Sequence, residues 1–276
     1  MNAPAATVVV PRLAERGRVT QARVVLSEWT KLHSLRSTRW SLLAATVLGI
    51  GFPLLFAAIT SSHWGHMSPH ERADRNPIDV ALAGVNVSQL PIAVLGVLVI
   101  TGEYTTGMIR SSFVAVPKRL PVLWAKLGVY ATVSFALMLP AVLVSFFATQ
   151  AILRPHTTLT IAFSHPGVAR SVIGGAVFLM LVGVFALGIG AIVRNTAGGI
   201  AAFAAIFFVI PPLLNVLPTS WNDAITPWLP SESARTLFAL THGPHTLSPG
   251  AGLAVFCGYC AFTLGVAALL LRRRDA

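Results

Sequence analysis

Six apolar runs, at residues 40–60, 80–101, 127–148, 171–193, 197–217 and 251–271, decide what this chain can fold into. Each is long enough to cross a hydrocarbon core of about 30 Å, which takes roughly 20 apolar residues as a helix. Such a stretch has to satisfy its own backbone polar groups, and a helix does so within one segment. Barrel strands would instead alternate apolar and polar residues, which these runs do not. Composition agrees: charged residues make up 11% of the 276, against about 25% in soluble domains, and the mean hydropathy is +0.74. The prediction is an all-α, polytopic membrane protein with six transmembrane helices in one domain over residues 21–276. The loops are too short for a separate soluble domain.

The net charge of +11 invites a nucleic-acid reading, but its placement points elsewhere. Fifteen of the 20 basic residues fall before Trp40, in the second loop, at Arg194 and at Arg272–Arg274, and five fall in the alternate set of loops. Basic residues accumulate on the cytoplasmic side of short loops. Both termini are therefore expected in the cytoplasm, with the excess charge serving topology and lipid contact, and no nucleic-acid partner.

Residues 1–20 lack an apolar core segment and read as a disordered cytoplasmic tail rather than a signal peptide. Beyond them Val25, Trp29 and Leu32 recur at helical spacing, with Arg23, Lys31, Arg36 and Arg39 on or near the other face. A basic amphipathic helix beside a span lies in the headgroup plane, and Trp29 and Trp40 suit the interface.

Polar residues within the spans are few. Asn86, Ser88 and Gln89 sit mid-span and either bond between helices or line a substrate path. No span holds an Asp, Glu or His at depth, which disfavours proton-coupled carriers and intramembrane hydrolases. Cys257 and Cys260 have C-x-x-C spacing but no further ligand nearby, so both read as small packing residues. His63, His66 and His70 have helical metal-ligand spacing; beside Pro69 they read as a solvated loop, and no metal is expected. Gly198 and Ala202 give the fifth span a small face for close packing. Residues 218–250 carry Trp221, Trp228, Leu229, Leu237 and Phe238, and read as partly inserted outer helices, one capped by Ser231. Phosphate-cradling, nucleophile-elbow and zinc-protease motifs are all missing from the sequence.

The second loop, residues 102–126, is both basic and patterned: Arg110, Lys118, Arg119 and Lys126 stand against the single acid Glu103. At helical spacing Glu103, Gly107 and Arg110 share a face. A subunit without chemistry of its own has to take energy or a signal from a partner, and this loop is the place to receive it.

The stretches Glu28-Trp29-Thr30-Lys31-Leu32, Arg36-Ser37-Thr38, Gly102-Glu103-Tyr104, Gly107-Met108-Ile109-Arg110 and Ala115-Val116-Pro117-Lys118-Arg119, set among six spans, resemble the actinobacterial permease subunits of type-two ATP-binding cassette exporters. The resemblance covers nearly the whole chain. It implies that the in-plane helix, with Glu28, Trp29 and Lys31, is a connecting helix, and that residues 102–126 form a coupling helix. Glu103, Tyr104, Gly107 and Arg110 would there meet a separate ATPase subunit. It implies further a second permease subunit, identical or not, ATP and Mg on the partner rather than a cofactor here, no catalysis by this chain, residence in a bacterial plasma membrane, and outer re-entrant helices at 218–250. Asn86, Ser88 and Gln89 would be candidates for the path, and an amphipathic or lipid-like cargo fits the uncharged interior. Two other readings stay open: a non-transporting anchor or sensor partner, and an integral membrane enzyme acting on lipids through the outer histidines or the 218–250 segment.

Overall fold

A computed structural model describes residues 20–105, 119–155, 159–241, 243 and 245–273. The expected tail, except Thr20, lies outside these residues, as do Gly107 and Arg110. Helices dominate, with no strand among the described residues. In chain order they are α1 (Gln21–Ser34), α2 (Arg36–His63), α3 (Pro69–Ala73), α4 (Pro77–Thr105), α5 (Arg119–Leu153), α6 (Val168–Val193), α7 (Thr196–Ala204), α8 (Ile210–Leu214), α9 (Thr219–Ile225), α10 (Pro230–Arg235) and α11 (Pro249–Arg273). A π-helical turn, Ala205–Val209, joins α7 to α8. Six segments are long and apolar enough to cross a membrane: α2, α4, α5, α6, the α7–α8 unit and α11. The chain is a multi-pass helical membrane protein.

The two central helices are α4 and α6. Their most apolar windows are 61% and 78% buried, whereas those of α2 and α7–α8 are 17% buried and face outward. Glycine allows the close crossings. A Cβ on Gly96 would lie 2.3 Å from the carbonyl oxygen of Gly183, and one on Gly84 would lie 2.2 Å from that of Gly49. Only a residue without a side chain lets the backbones approach so closely. Buried hydroxyls add directional ties between helices. Tyr130 donates to the carbonyl of Ile92 at 2.8 Å, Ser145 to Ala81 at 2.9 Å and Ser88 to Ala45 at 2.7 Å.

Several local expectations need correction. In the fifth span Pro211 and Pro212 cannot donate to the preceding turn, and the backbone widens into the π turn just before them. On the small face of that span Gly199 and Phe203 are buried, and a Cβ on Gly199 would meet Val97 at 2.8 Å. Helix α10 begins at Pro230, with Leu229 rather than Ser231 at the N-cap, consistent with proline's preference for the first helical position. The 64–76 region is not plain loop but contains α3, capped by Ser68: the Glu71 amide donates to its hydroxyl while Glu71 accepts from its backbone. The hydrogen bonds that the Glu71 carboxylate accepts, from the Ser68 amide first and then from its hydroxyl, hold that carboxyl below its usual range. Of the cysteines only Cys260 packs inside, its thiol 3.6 Å from the Leu181 carbonyl; Cys257 is exposed. The buried stripe of α11 is Phe256, Cys260 and Leu264, four residues apart, and Cys257 falls off its edge.

Candidate functional site: a buried ring of four charges

Four charged side chains, three buried and one half-buried, come together where α1, the end of α4 and the start of α5 converge. Lys31 Nζ donates to Glu28 Oε1 at 2.7 Å and to Glu103 Oε1 at 3.0 Å. Lys126 Nζ donates to Glu28 Oε2 at 2.5 Å and to Glu103 Oε1 at 3.0 Å. Acid and base alternate around a closed, neutral ring. Glu28, Glu103 and Lys126 are 5%, 7% and 5% exposed, and Lys31 forms the more open edge.

Local sequence explains how each member gets there. On α1 the inward stripe is Val24, Glu28 and Leu32, four residues apart, so an acid occupies the middle of the packed face. Val24 packs on Val122 and Ala125 of α5, and Gln21 donates to the Pro121 carbonyl at 3.2 Å. Lys126 lies on that same face of α5, between Val122 and Val129, both buried. Glu103 closes the triangle from the last turn of α4. The expected apolar face of α1 therefore splits: Leu32 turns into the bundle, while Val25 and Trp29 are 40% and 42% exposed. Trp29 takes no part in the ring; its indole rests edge-on against His33 at 4.9 Å.

The electrostatics are those of a tight ion-pair network. Burial lowers the pKa of the Lys31 ammonium, but the hydrogen bond to Glu28 and the charges of Glu103 and Glu28 outweigh it, leaving that pKa raised. The second carboxylate oxygen of Glu103, Oε2, is buried and hydrogen-bonds to no described residue. Beside the ring lies a cavity of about 250 Å³, bordered by all four charged residues and by Ser37 and Thr38 of α2. It far exceeds the roughly 15 Å³ that admits one water, so the charges have room to separate and hydrate.

Four buried charges are not the cheapest way to join three helices. Apolar side chains of similar volume hold such a junction as well or better, because desolvation cancels much of the Coulombic gain. What the ring offers instead is an all-or-none joint: intact, every charge is compensated; with one partner withdrawn, an ion is left stranded. That is the character of a switchable contact.

One of the expected coupling residues, Glu103, thus adjoins two expected connecting-helix residues, Glu28 (through Lys31 and Lys126) and Lys31, while Tyr104 lies against Arg194. Of the three polar residues of α4, Ser88 is committed to the α2 backbone and Gln89 bonds to the Asn86 carbonyl at 2.9 Å. Asn86 is partly exposed. Sequence reasoning missed Lys126 as a site residue. Its signal was a lysine in register with the apolar positions Val122, Ala125 and Val129. No family model matches the chain, and no curated protein matches it.

Proposed function

We propose that the chain is the membrane-spanning permease subunit of an ATP-driven exporter, with ATP hydrolysed on a separate subunit and the charge ring as the joint through which that energy enters. The observation carrying this reading is that the Glu28–Leu32 and Gly102–Tyr104 stretches, on which the resemblance to type-two exporter permeases rests, meet directly. Lys31 and Glu103 are 72 residues apart in sequence and 3.0 Å apart in space. Glu103 and Lys126 also bracket residues 106–118, the centre of the expected coupling helix, so a load on that segment reaches α4 and α5 at the two residues bound to α1. A push by the ATPase on this segment strains the ring, and its opening lets α1 and α4 shift relative to one another, alternating access to the path. In this reading the protein sits in a bacterial plasma membrane, pairs with a second permease subunit through part of its outward-facing apolar surface on α2 and α7–α8, and carries an amphipathic cargo.

The test is gentle solubilisation of the tagged chain from its native host and identification of what co-purifies. A stoichiometric soluble partner carrying a phosphate-binding loop is expected. Glu103→Gln should leave the chain inserted and folded but reduce ATP-dependent flux by more than tenfold relative to hydrolysis. A chain that purifies alone under conditions where known complexes survive, or a Glu103→Gln variant with unchanged flux at equal expression, overturns the reading in favour of an anchor or an enzyme.

A further inference from the structure

The last turn of α4 is gripped a second time, on another side from the ring. Arg194 lies in the short link between α6 and α7, and its guanidinium stacks over the Tyr104 ring at 5.0 Å. Two residues on, Thr196 Oγ1 donates to Thr101 Oγ1 at 2.8 Å, and Thr101 Oγ1 donates to the Val97 carbonyl at 2.9 Å. Asn195 caps α7 by accepting from the Gly198 amide at 2.8 Å. From Arg194 onward, the start of α7 is thus fastened to residues 97–104 by a cation–π contact and a relay of hydroxyls.

Arg194 is an unexpected residue for its backbone. It holds φ at +57°, the one positive φ on a non-glycine among the described residues. Glycine adopts that conformation freely, and a residue with a Cβ does so at a cost. The strain makes sense only if the side chain does something glycine cannot. The Nε of Arg194 is buried and hydrogen-bonds to no described residue, so the face of Tyr104 is its compensating contact.

The element fastened in this way is also the one built to move. The α7–α8 unit is largely outward-facing and meets the bundle along one narrow stripe, Gly199, Phe203 and Phe207. Its π turn, followed by Pro211 and Pro212, breaks the regular hydrogen-bond ladder, as helices do where they kink. We infer that Arg194 is a positioning residue that makes α7 follow the end of α4. Opening the charge ring at Glu103 is then felt in α7, with Tyr104 and Thr101 as the carriers. Such motion lies within the chain and needs neither a cargo nor an ATPase.

The experiment is a double-mutant cycle on the full chain in lipid nanodiscs, read by hydrogen–deuterium exchange of the backbone amides at 97–105 and 196–204. Glu103→Gln opens the ring and should speed exchange in both segments, by roughly fivefold in α7, within the range of a cation–π contact. Combined with Arg194→Gly and Thr196→Val, the same substitution should speed exchange at 97–105 only. Arg194→Gly suits the backbone of the turn, so its melting temperature should be unchanged or higher; a merely structural arginine would lower it. Should Glu103→Gln fail to fold, Lys31→Gln opens the ring from its exposed edge and completes the same cycle. Equal acceleration of α7 with and without Arg194, or none in either background, overturns the inference. Either result leaves the exporter reading standing, because that reading is decided by co-purification and flux.

Discussion

The middle of α4 and its end are held by opposite kinds of contact. In the middle, Gly84 and Gly96 lie against the backbones of α2 and α6, and Ser88 and Tyr130 add one neutral hydrogen bond each. Nothing there is charged, and nothing can open without separating close-packed backbones. At the end, Glu103 meets α1 and α5 through side chains alone, in a ring with a hydratable cavity beside it. One helix therefore carries a fixed crossing and a breakable joint about two turns apart, from Gly96 to Glu103. A subunit that transmits motion needs both, since a lever requires a pivot as well as a load point.

If that contrast is right, the end of α4 should be sensitive to single changes and tolerant of paired ones, while the middle tolerates neither. The largest effect is expected from Lys126→Met, which leaves two buried carboxylates sharing the single ammonium of Lys31, one negative charge in excess, and should cost about 3–5 kcal/mol. Adding Glu28→Leu removes the excess charge and leaves Lys31 and Glu103 as a neutral pair at 3.0 Å. Most of the loss should then be recovered, as buried ion pairs are replaceable by apolar packing. Chemical unfolding in mild detergent reads both variants; a double variant no more stable than Lys126→Met would break the contrast. Next comes Gly96→Ala, expected to cost about 1–3 kcal/mol as over-packing does. Its added Cβ meets the Gly183 carbonyl at 2.3 Å. That atom is backbone, so no side-chain change on α6 should rescue it, and rescue by one would show the crossing to be soft.

How much of this the sequence disclosed follows from what hydropathy can and cannot encode. The six spans are legible because each hydrophobic run is a local property, and the helices observed extend the expected runs by only a few residues at most ends. The face of α1 was not legible. Periodicity favours the stripe without charge, Val25–Trp29–Leu32, whereas the buried stripe contains Glu28, which an apolar pattern scores against itself. Lys126 was hidden for the same reason: in a basic loop it reads as one more topology signal, until its lysine is placed on the packed face of α5. Arg194 shows another limit. Its positive φ and its stacking on Tyr104 depend on where the α6–α7 link falls against α4, a long-range placement that no residue near Arg194 specifies. The same holds for the meeting of Lys31 with Glu103.

The smallest expected effect sharpens the comparison, because only the end of α4 has groups that can titrate against each other. Lys31 has a pKa raised in the folded chain, the hydrogen bond to Glu28 and the nearby carboxylates outweighing burial. A cation whose folded pKa exceeds its unfolded value stabilises fully below the unfolded value, and loses that contribution as the pH rises through the folded one. On the alkaline side the Lys31 contribution should therefore be constant through the neutral range and weaken above about pH 10, where lysines begin to deprotonate. Lys31 is partly open to solvent, so screening keeps the contribution to about 1 kcal/mol or less. Thermal unfolding from about pH 8 to 12, compared between the parent and Lys31→Met, reads it directly. The stability difference should stay constant to about pH 10 and shrink above it. The same scan on Gly96→Ala should run parallel to the parent throughout, because the contact it disturbs contains no proton to lose. A Lys31→Met difference that stayed flat to the alkaline limit would mean that Lys31 merely borders the site, with Lys126 alone bridging the two glutamates.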